Sequence, residues 1–284
     1  MTDQLQRFIF ENTDIRGELA RLDQSYLDAI ATHHYPEPVA RLLGEFLTAV
    51  ALLSATLKFE GMVSLQARSK GQIPLIMAEA SSDQTLRAIA READQASSDD
   101  FKTLLADGQL AISIIPSKGK RYQGIVALDG HNLAECLQDY FRQSEQLATR
   151  LWLYSDSQRA TGMLLQALPS SEQTDSQNSQ KDWEHICHLT DTLTEEEILS
   201  LEFEKLLYRL YHQEQVRLFE ATPLSYQCSC SRQRTLEVLK ALGQEEAEKI
   251  VHEHGSIEVD CEFCHQHYHF TNKDIQSLFL PRIH

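Results

Sequence analysis

Four of the six cysteines stand in two tight pairs near the C-terminus, Cys228-Ser229-Cys230 and Cys261-Glu262-Phe263-Cys264, with thirty residues between the pairs. Two close thiol pairs at this spacing are the donor set of a tetrahedral tetrathiolate zinc site. The reason is reach: zinc takes four ligands at about 2.3 Å, and each pair supplies two from one stretch of backbone. A C-x-x-C turn does this readily. C-x-C is tighter, because neighbouring odd positions of a regular strand do not converge, so the backbone must bend there. Cys228, Cys230, Cys261 and Cys264 are therefore the expected metal ligands, with one zinc per chain as the expected cofactor. His252, His254, His265, His267 and His269 lie close by and offer alternative donors or outer hydrogen bonds. Four thiolates around one divalent ion carry a site charge of −2, which Arg232 and Arg234 are placed to offset. If the metal leaves, the pairs can oxidise, so the site is either a structural zinc knob or a redox element.

The insert between the pairs must hold them together. Leu236, Leu239 and Leu242 make one helical face, ended by Gly243; Ala247, Ile250 and Val251 make a second, ended by Gly255. Ile257 and Val259 lead into Cys261, and Tyr268 and Phe270 alternate after Cys264. This predicts two short helices and a small hairpin around the metal. The 57 residues from Cys228 onward are few for a free-standing core. Zinc contributes about 10–16 kcal/mol of apparent folding energy in small zinc domains, so this tail is expected to need its metal.

The rest of the chain must position this tail. With 284 residues, two or so domains are expected, and 42% hydrophobic residues exclude wholesale disorder. Residues 1–169 read as one α+β domain. Strand composition is seen at Leu5–Phe10, Ile15–Leu22, Phe59–Ala67, Ile73–Ala80, Leu110–Ile115, Tyr122–Leu128, Leu151–Tyr154 and Met163–Leu168. Helical spacing runs from Pro38 to Leu57 and over Leu133–Phe141, where Cys136 lies on the apolar face as a packed thiol. Pro169–Asp182 holds no aliphatic or aromatic residue and reads as a flexible linker. Helical patterns return at Trp183–Leu193, which carries Cys187, and in the stripe Leu199, Phe203, Leu206, Leu207, Leu210 behind Glu195, Glu196 and Glu197. The expected division is thus a core domain over 1–169, an acidic linker over 170–227 and a zinc-binding domain over 228–284.

Charge follows the same boundaries. The net charge is −16, and −8 of it falls within residues 170–227. The acidic balance argues against nucleic-acid and anionic-membrane partners. The apolar run Phe46–Leu57 is short for a membrane span, and the N-terminal residues show no secretion signal, so a cytoplasmic protein is expected. In a reducing compartment the six cysteines are not a disulfide scaffold. No nucleophile–His–carboxylate set, P-loop or dinucleotide fingerprint is visible, so no enzyme is expected.

Taken together, the sequence resembles the bacterial redox-regulated holdase chaperones, the 33 kDa chaperonin family. The resemblance runs through RGELARL at Arg16–Leu22, LKFEG at Leu57–Gly61, RYQGIVALDG at Arg121–Gly130, YFRQSEQLATRLWL at Tyr140–Leu153, GMLLQALP at Gly162–Pro169 and LLYRLYHQEQVR at Leu206–Arg217, ending in CSCSRQR and CEFC. It implies a zinc-bound, inactive reduced form. Under oxidative stress it implies two disulfides, Cys228–Cys230 and Cys261–Cys264, with zinc release, unfolding of the tail and linker, and dimerisation. The oxidised form would then hold unfolding client proteins without ATP. The stripe Leu199, Phe203, Leu206 and Leu210, or an apolar face beneath it, would supply client surface. A zinc-ribbon nucleic-acid binder and a thiol oxidoreductase are the competing readings.

Overall fold

In a computed structural model of the chain, residues 3–56, 60–169 and 176–280 are described. Leu57 and Phe59, which end one expected helix and begin one expected strand, and residues 170–175 of the expected linker lie outside them. The fold is α+β, in two compact units, Met1–Gln227 and Cys228–His284.

The first unit opens with a hairpin, β1 (Gln4–Phe10) and β2 (Ile15–Leu22), followed by α1 (Gln24–Ala31) and α2 (Glu37–Ala55). A meander follows: β3 (Gly61–Arg68), β4 (Leu75–Ser81) and β5 (Thr85–Arg91), the short α3 (Phe101–Leu104), then β6 (Gln109–Pro116) and β7 (Tyr122–Ala127). Next come α4 (Leu133–Tyr140), a π-helical turn over Phe141–Glu145, and the hairpin β8 (Thr149–Ser155) and β9 (Ala160–Ala167). α1, β5 and α3 are additions to the sequence reading. β5 carries Leu86, Ala88 and Ala90 on its buried side, and alanine gives a weak strand signal.

Two six-stranded sheets result. One runs β10 (Val216–Leu218)-β1-β2-β9-β8, with β11 (Thr222–Pro223) also paired to β1, and the other runs β12 (Ser225–Tyr226)-β5-β4-β3-β6-β7. α2 packs against both sheets, on β9 and β8 of the first and on β4 and β5 of the second. It therefore buries nearly every side, and its polar Thr48 and Ser54 return their hydroxyls to the carbonyls of Gly44 and Ala51 at 2.9 and 2.8 Å. By length and composition α2 could cross a membrane, but 78% of its apolar window is buried within the fold, as in a core helix.

The first sheet is covered on both faces. Leu5, Ala20, Leu22, Leu151, Leu153, Ala160 and Leu164 face the α2 side. Phe8, Phe10, Ile15, Leu19, Trp152, Met163 and Leu165 face the other way. What covers this second face is the linker: α5 (Ser176–Thr190), α6 (Glu195–Ser200) and α7 (Phe203–Tyr211). α5 begins at Ser176, inside the stretch expected to be flexible. Once Trp183, Ile186 and Leu189 are anchored on the sheet-face core, adding polar residues at the helix N-terminus costs little, because propagation follows nucleation. The chain then adds β10 (Val216–Leu218) to the edge of β1, a short pair β11 (Thr222–Pro223) beside the start of β1, and β12 (Ser225–Tyr226) in parallel with β5.

The second unit contains α8 (Arg232–Leu242), α9 (Gln244–His254), the hairpin β13 (Ser256–Asp260) and β14 (His267–Thr271), and α10 (Asn272–Phe279). The two helices and hairpin are those expected, and α10 is additional. Gly243 and Gly255 end the helices at positive φ (102° and 82°), where a Cβ would be strained. The core is Leu239, Ala247, Val251, Ile257, Phe270 and Ile275. Leu242, expected on the same face as Leu239, is 49% exposed at the helix end.

Candidate metal centre

The two cysteine pairs converge. The C-x-C segment lies outside any helix or strand, and the adjacent Ser231 caps α8 by accepting from the Arg234 amide at 3.2 Å. The CEFC segment is the turn between β13 and β14. The Cys261 amide donates to the Gln266 carbonyl at 3.0 Å and the His265 amide to the Cys261 carbonyl at 2.8 Å, with His265 at φ 54° closing the turn.

The sulfurs of Cys228, Cys230, Cys261 and Cys264 all lie within 4.8 Å of one another. Two contacts cross the pairs: Cys228 to Cys261 at 3.6 Å and Cys230 to Cys264 at 3.4 Å. Four ligands at zinc–sulfur distance on a tetrahedron stand about 3.8 Å apart. The donor set therefore fits a tetrahedral thiophilic ion. The four cysteines are free thiols, half-buried. Burial first, and then the neighbouring sulfurs, push the Cys264 thiol up from its usual value. A divalent cation reverses that preference, which is why such a cluster favours a metal.

Neighbouring side chains bond to the cluster and its backbone. The Tyr268 hydroxyl donates to Cys230 Sγ at 3.1 Å. Arg234 donates to the Ser229 carbonyl at 2.7 Å, pinning the middle of C-x-C. Arg232, expected to balance the site charge, is committed elsewhere: it pairs with Asp274 at 2.8 Å, donates to the His269 carbonyl at 2.6 Å and lies 4.4 Å over the Phe270 ring. No histidine belongs to the four-sulfur group among the described residues, and His267 pairs with Asp260 at 2.8 Å.

Cys136 and Cys187 are buried within the first unit and do not belong to that cluster. Burial pushes both thiols up, Cys187 to about 12, so neither is poised to react. The linker stripe is likewise covered. Leu199, Phe203, Leu206 and Leu210 all sit in the core on the outer sheet face, Leu206 with no exposed surface at all.

A family model described as Hsp33 protein matches residues 3–271. The chain belongs to the Hsp33 family. Among curated relatives it is 53% identical over 282 residues to the 33 kDa chaperonin of Ectopseudomonas mendocina, spanning 98% of this chain and 96% of that one. It is 52% identical over 281 residues to the 33 kDa chaperonin of Pseudomonas savastanoi pv. phaseolicola, spanning 98% and 94%. The fold is similar to the crystal structure of the 33 kDa chaperonin from Thermotoga maritima, with a TM-score of 0.81, 21% identity and 97% of each chain covered. This Hsp33 chain is accordingly a chaperone.

Sequence reasoning missed the residues that hold the linker of this Hsp33 chain on its sheet. Arg21 of β2 is fully buried and points to the linker side. It donates to the carbonyls of Leu201 and Ile198, pairs with Glu202 at 3.7 Å and lies 4.9 Å over the Phe203 ring. Burial pulls its guanidinium below the ordinary value, opposed by Glu202. Arg159, in the turn before β9, donates to the Leu199 carbonyl and pairs with Asp23 at 3.1 Å. In sequence, the only available signal was a charged residue on the face of β2 that also carries Ile15 and Leu19.

Proposed function

We propose that this chain is a redox-regulated, ATP-independent holdase of the cytoplasm and has no enzymatic activity. In the reduced state Cys228, Cys230, Cys261 and Cys264 hold one zinc ion, and the protein is inactive. Zinc, when bound, keeps the four sulfurs as thiolates and supplies most of the folding energy of the second unit. Peroxide oxidises Cys228 with Cys230 and Cys261 with Cys264. Each disulfide forms as one peroxide accepts two electrons and leaves as two waters, with the two protons drawn from solvent. A disulfide sulfur is no longer a thiolate donor, so the ion leaves. The core of the second unit, six buried residues among those described with a few half-buried ones against them, is then too small to keep it folded.

The linker is the second element. It is amphipathic, it carries half the net negative charge, and it covers an apolar sheet face. Its release exposes Leu199, Phe203, Leu206 and Leu210 on one side and Phe8, Leu19 and Trp152 on the other. Either surface binds unfolding clients, and two activated chains pair as a homodimer. The acidic linker keeps the open form soluble and offers nothing to nucleic acid or anionic membrane.

The observation that carries this reading is the convergence of four thiols within 4.8 Å in a unit with a six-residue core. The test is light scattering from a heat-denaturing client. Oxidised, zinc-free protein is expected to suppress aggregation and reduced, zinc-loaded protein is not. Equal behaviour of the two forms overturns the switch.

A further inference from the structure

The covered sheet face is not purely apolar. Among Phe8, Phe10, Leu19, Trp152, Met163 and Leu165 stands Arg21, fully buried, with Arg159 at the face's margin. Both guanidinium groups aim at one feature, the C-terminal end of α6. Arg21 takes the carbonyls of Ile198 and Leu201, and Arg159 takes that of Leu199. These lie in and just after the last turn of the helix, where carbonyls lack partners within the helix and the helix dipole is negative. Glu202, directly after, adds a carboxylate to the same guanidinium, and the Phe203 ring stacks beneath it. The linker thus presents a helix C-terminus, an acidic residue and an apolar stripe, and the sheet meets each with a matching group.

A buried guanidinium costs free energy unless it is paired. When the linker leaves, water meets that requirement, and any segment that covers the face in the linker's place must meet it again at Arg21. We infer that Arg21, with Arg159 beside it, gives the vacated face a client preference. It selects amphipathic helical segments whose last turn offers uncapped carbonyls followed by a carboxylate, and the linker is an internal copy of such a client. This rests on the proposed release of the linker and names the client class that the released face takes.

The test uses the full-length chain with Phe203→Ala and Leu206→Ala, so that its own linker competes weakly for the face. The probe is a fluorescein-labelled peptide with the wild-type sequence of residues 193–212, followed by fluorescence anisotropy. The peptide is expected to bind saturably, at least tenfold more weakly when Arg21→Met is added, and with an intermediate loss for Arg21→Lys, which keeps the charge but not the planar fork. Changing Glu202→Lys in the peptide alone is expected to weaken binding to the arginine protein and to leave the Arg21→Met protein unchanged. If Arg21→Met fails to fold, the peptide substitution and Arg21→Lys decide the matter. Affinities that agree within twofold across all these pairs overturn the inference, as does absence of peptide binding by a protein that still suppresses client aggregation when oxidised. Failure of oxidised wild-type protein to suppress aggregation at all is instead failure of the holdase reading.

Discussion

Replacing Phe203 by alanine tests whether the linker is held by packing on the sheet. Phe203 opens α7, is 2% exposed, and packs with Leu206, Leu207 and Tyr211 over the outer sheet face. Truncating a buried phenylalanine costs about 3–5 kcal/mol, the lost ring–guanidinium contact included. The linker helices cover one side of a sheet whose other side keeps α2, so the loss falls on local opening rather than on the whole unit. At about 1.4 kcal/mol per decade, even 3 kcal/mol raises the open population roughly a hundredfold. In hydrogen exchange on reduced, zinc-loaded protein, amides of α6 and α7 are expected to exchange about a hundred times faster. Those of α2 and of the β13–β14 hairpin are expected to keep their rates. The same protein is expected to bind an apolar dye and to hold client without peroxide. Protection of α6 and α7 within a few-fold of wild type would refute the packing argument. Equal loss across α2 would show that the linker is not a separately releasable element.

Metal content and free thiols, measured before and after peroxide, are expected to go from one zinc and six thiols to no zinc and two thiols. The survivors are Cys136 and Cys187, both buried with raised thiol values, and retention of zinc after oxidation would contradict the mechanism. Tyr268→Phe removes the hydroxyl that donates to Cys230, and zinc affinity in a chelator competition is expected to fall about tenfold, as for other outer contacts to metal ligands. Thr194→Ala breaks the capping box with Glu197 and is expected to weaken α6 by about 1 kcal/mol, read as roughly fivefold faster exchange confined to the linker helices. Glu18 is 1% exposed, and burial, only partly offset by Arg7 and then Arg16, pushes its carboxyl up to about 7. The folded protein therefore keeps a proton that the unfolded chain releases, and this contribution to stability is lost as pH rises from about 4.5 to 7. Glu18→Gln does not titrate, so denaturant melts are expected to show it matching wild type near pH 4.5 and gaining on the order of 3 kcal/mol over it above pH 7. A constant difference across that range would count against the buried carboxylate.

Much of the four-cysteine cluster was legible without coordinates because part of what builds it is local. Two residues apart and three residues apart, the thiols of each pair are already within reach of one ion, and Gly243 and Gly255 punctuate the insert by a backbone preference of their own. The linker stripe was legible in part for the same reason, since helical spacing places Phe203, Leu206 and Leu210 on one side of α7 whatever they meet, whereas Leu199 belongs to α6, beyond the extended Leu201 and Glu202. What they meet was not legible. β2 and β9 are buried on both faces, so their patterns do not alternate, and nothing in IRGELARL says which side faces α2 and which faces the linker. β5 was hidden by its alanines, and the first turns of α5 by their polarity.

Arg21 marks the division most clearly. In the chain it is one charged residue in a strand, and its partner carbonyls lie 177 and 180 positions away. Each cysteine pair is written in spacing, because the short covalent path gathers its two thiols, while the second unit's hairpin and helices bring the pairs together. A buried cation is decided by whichever carbonyls the folded chain brings to it, and only the packing of the linker on the sheet makes that choice.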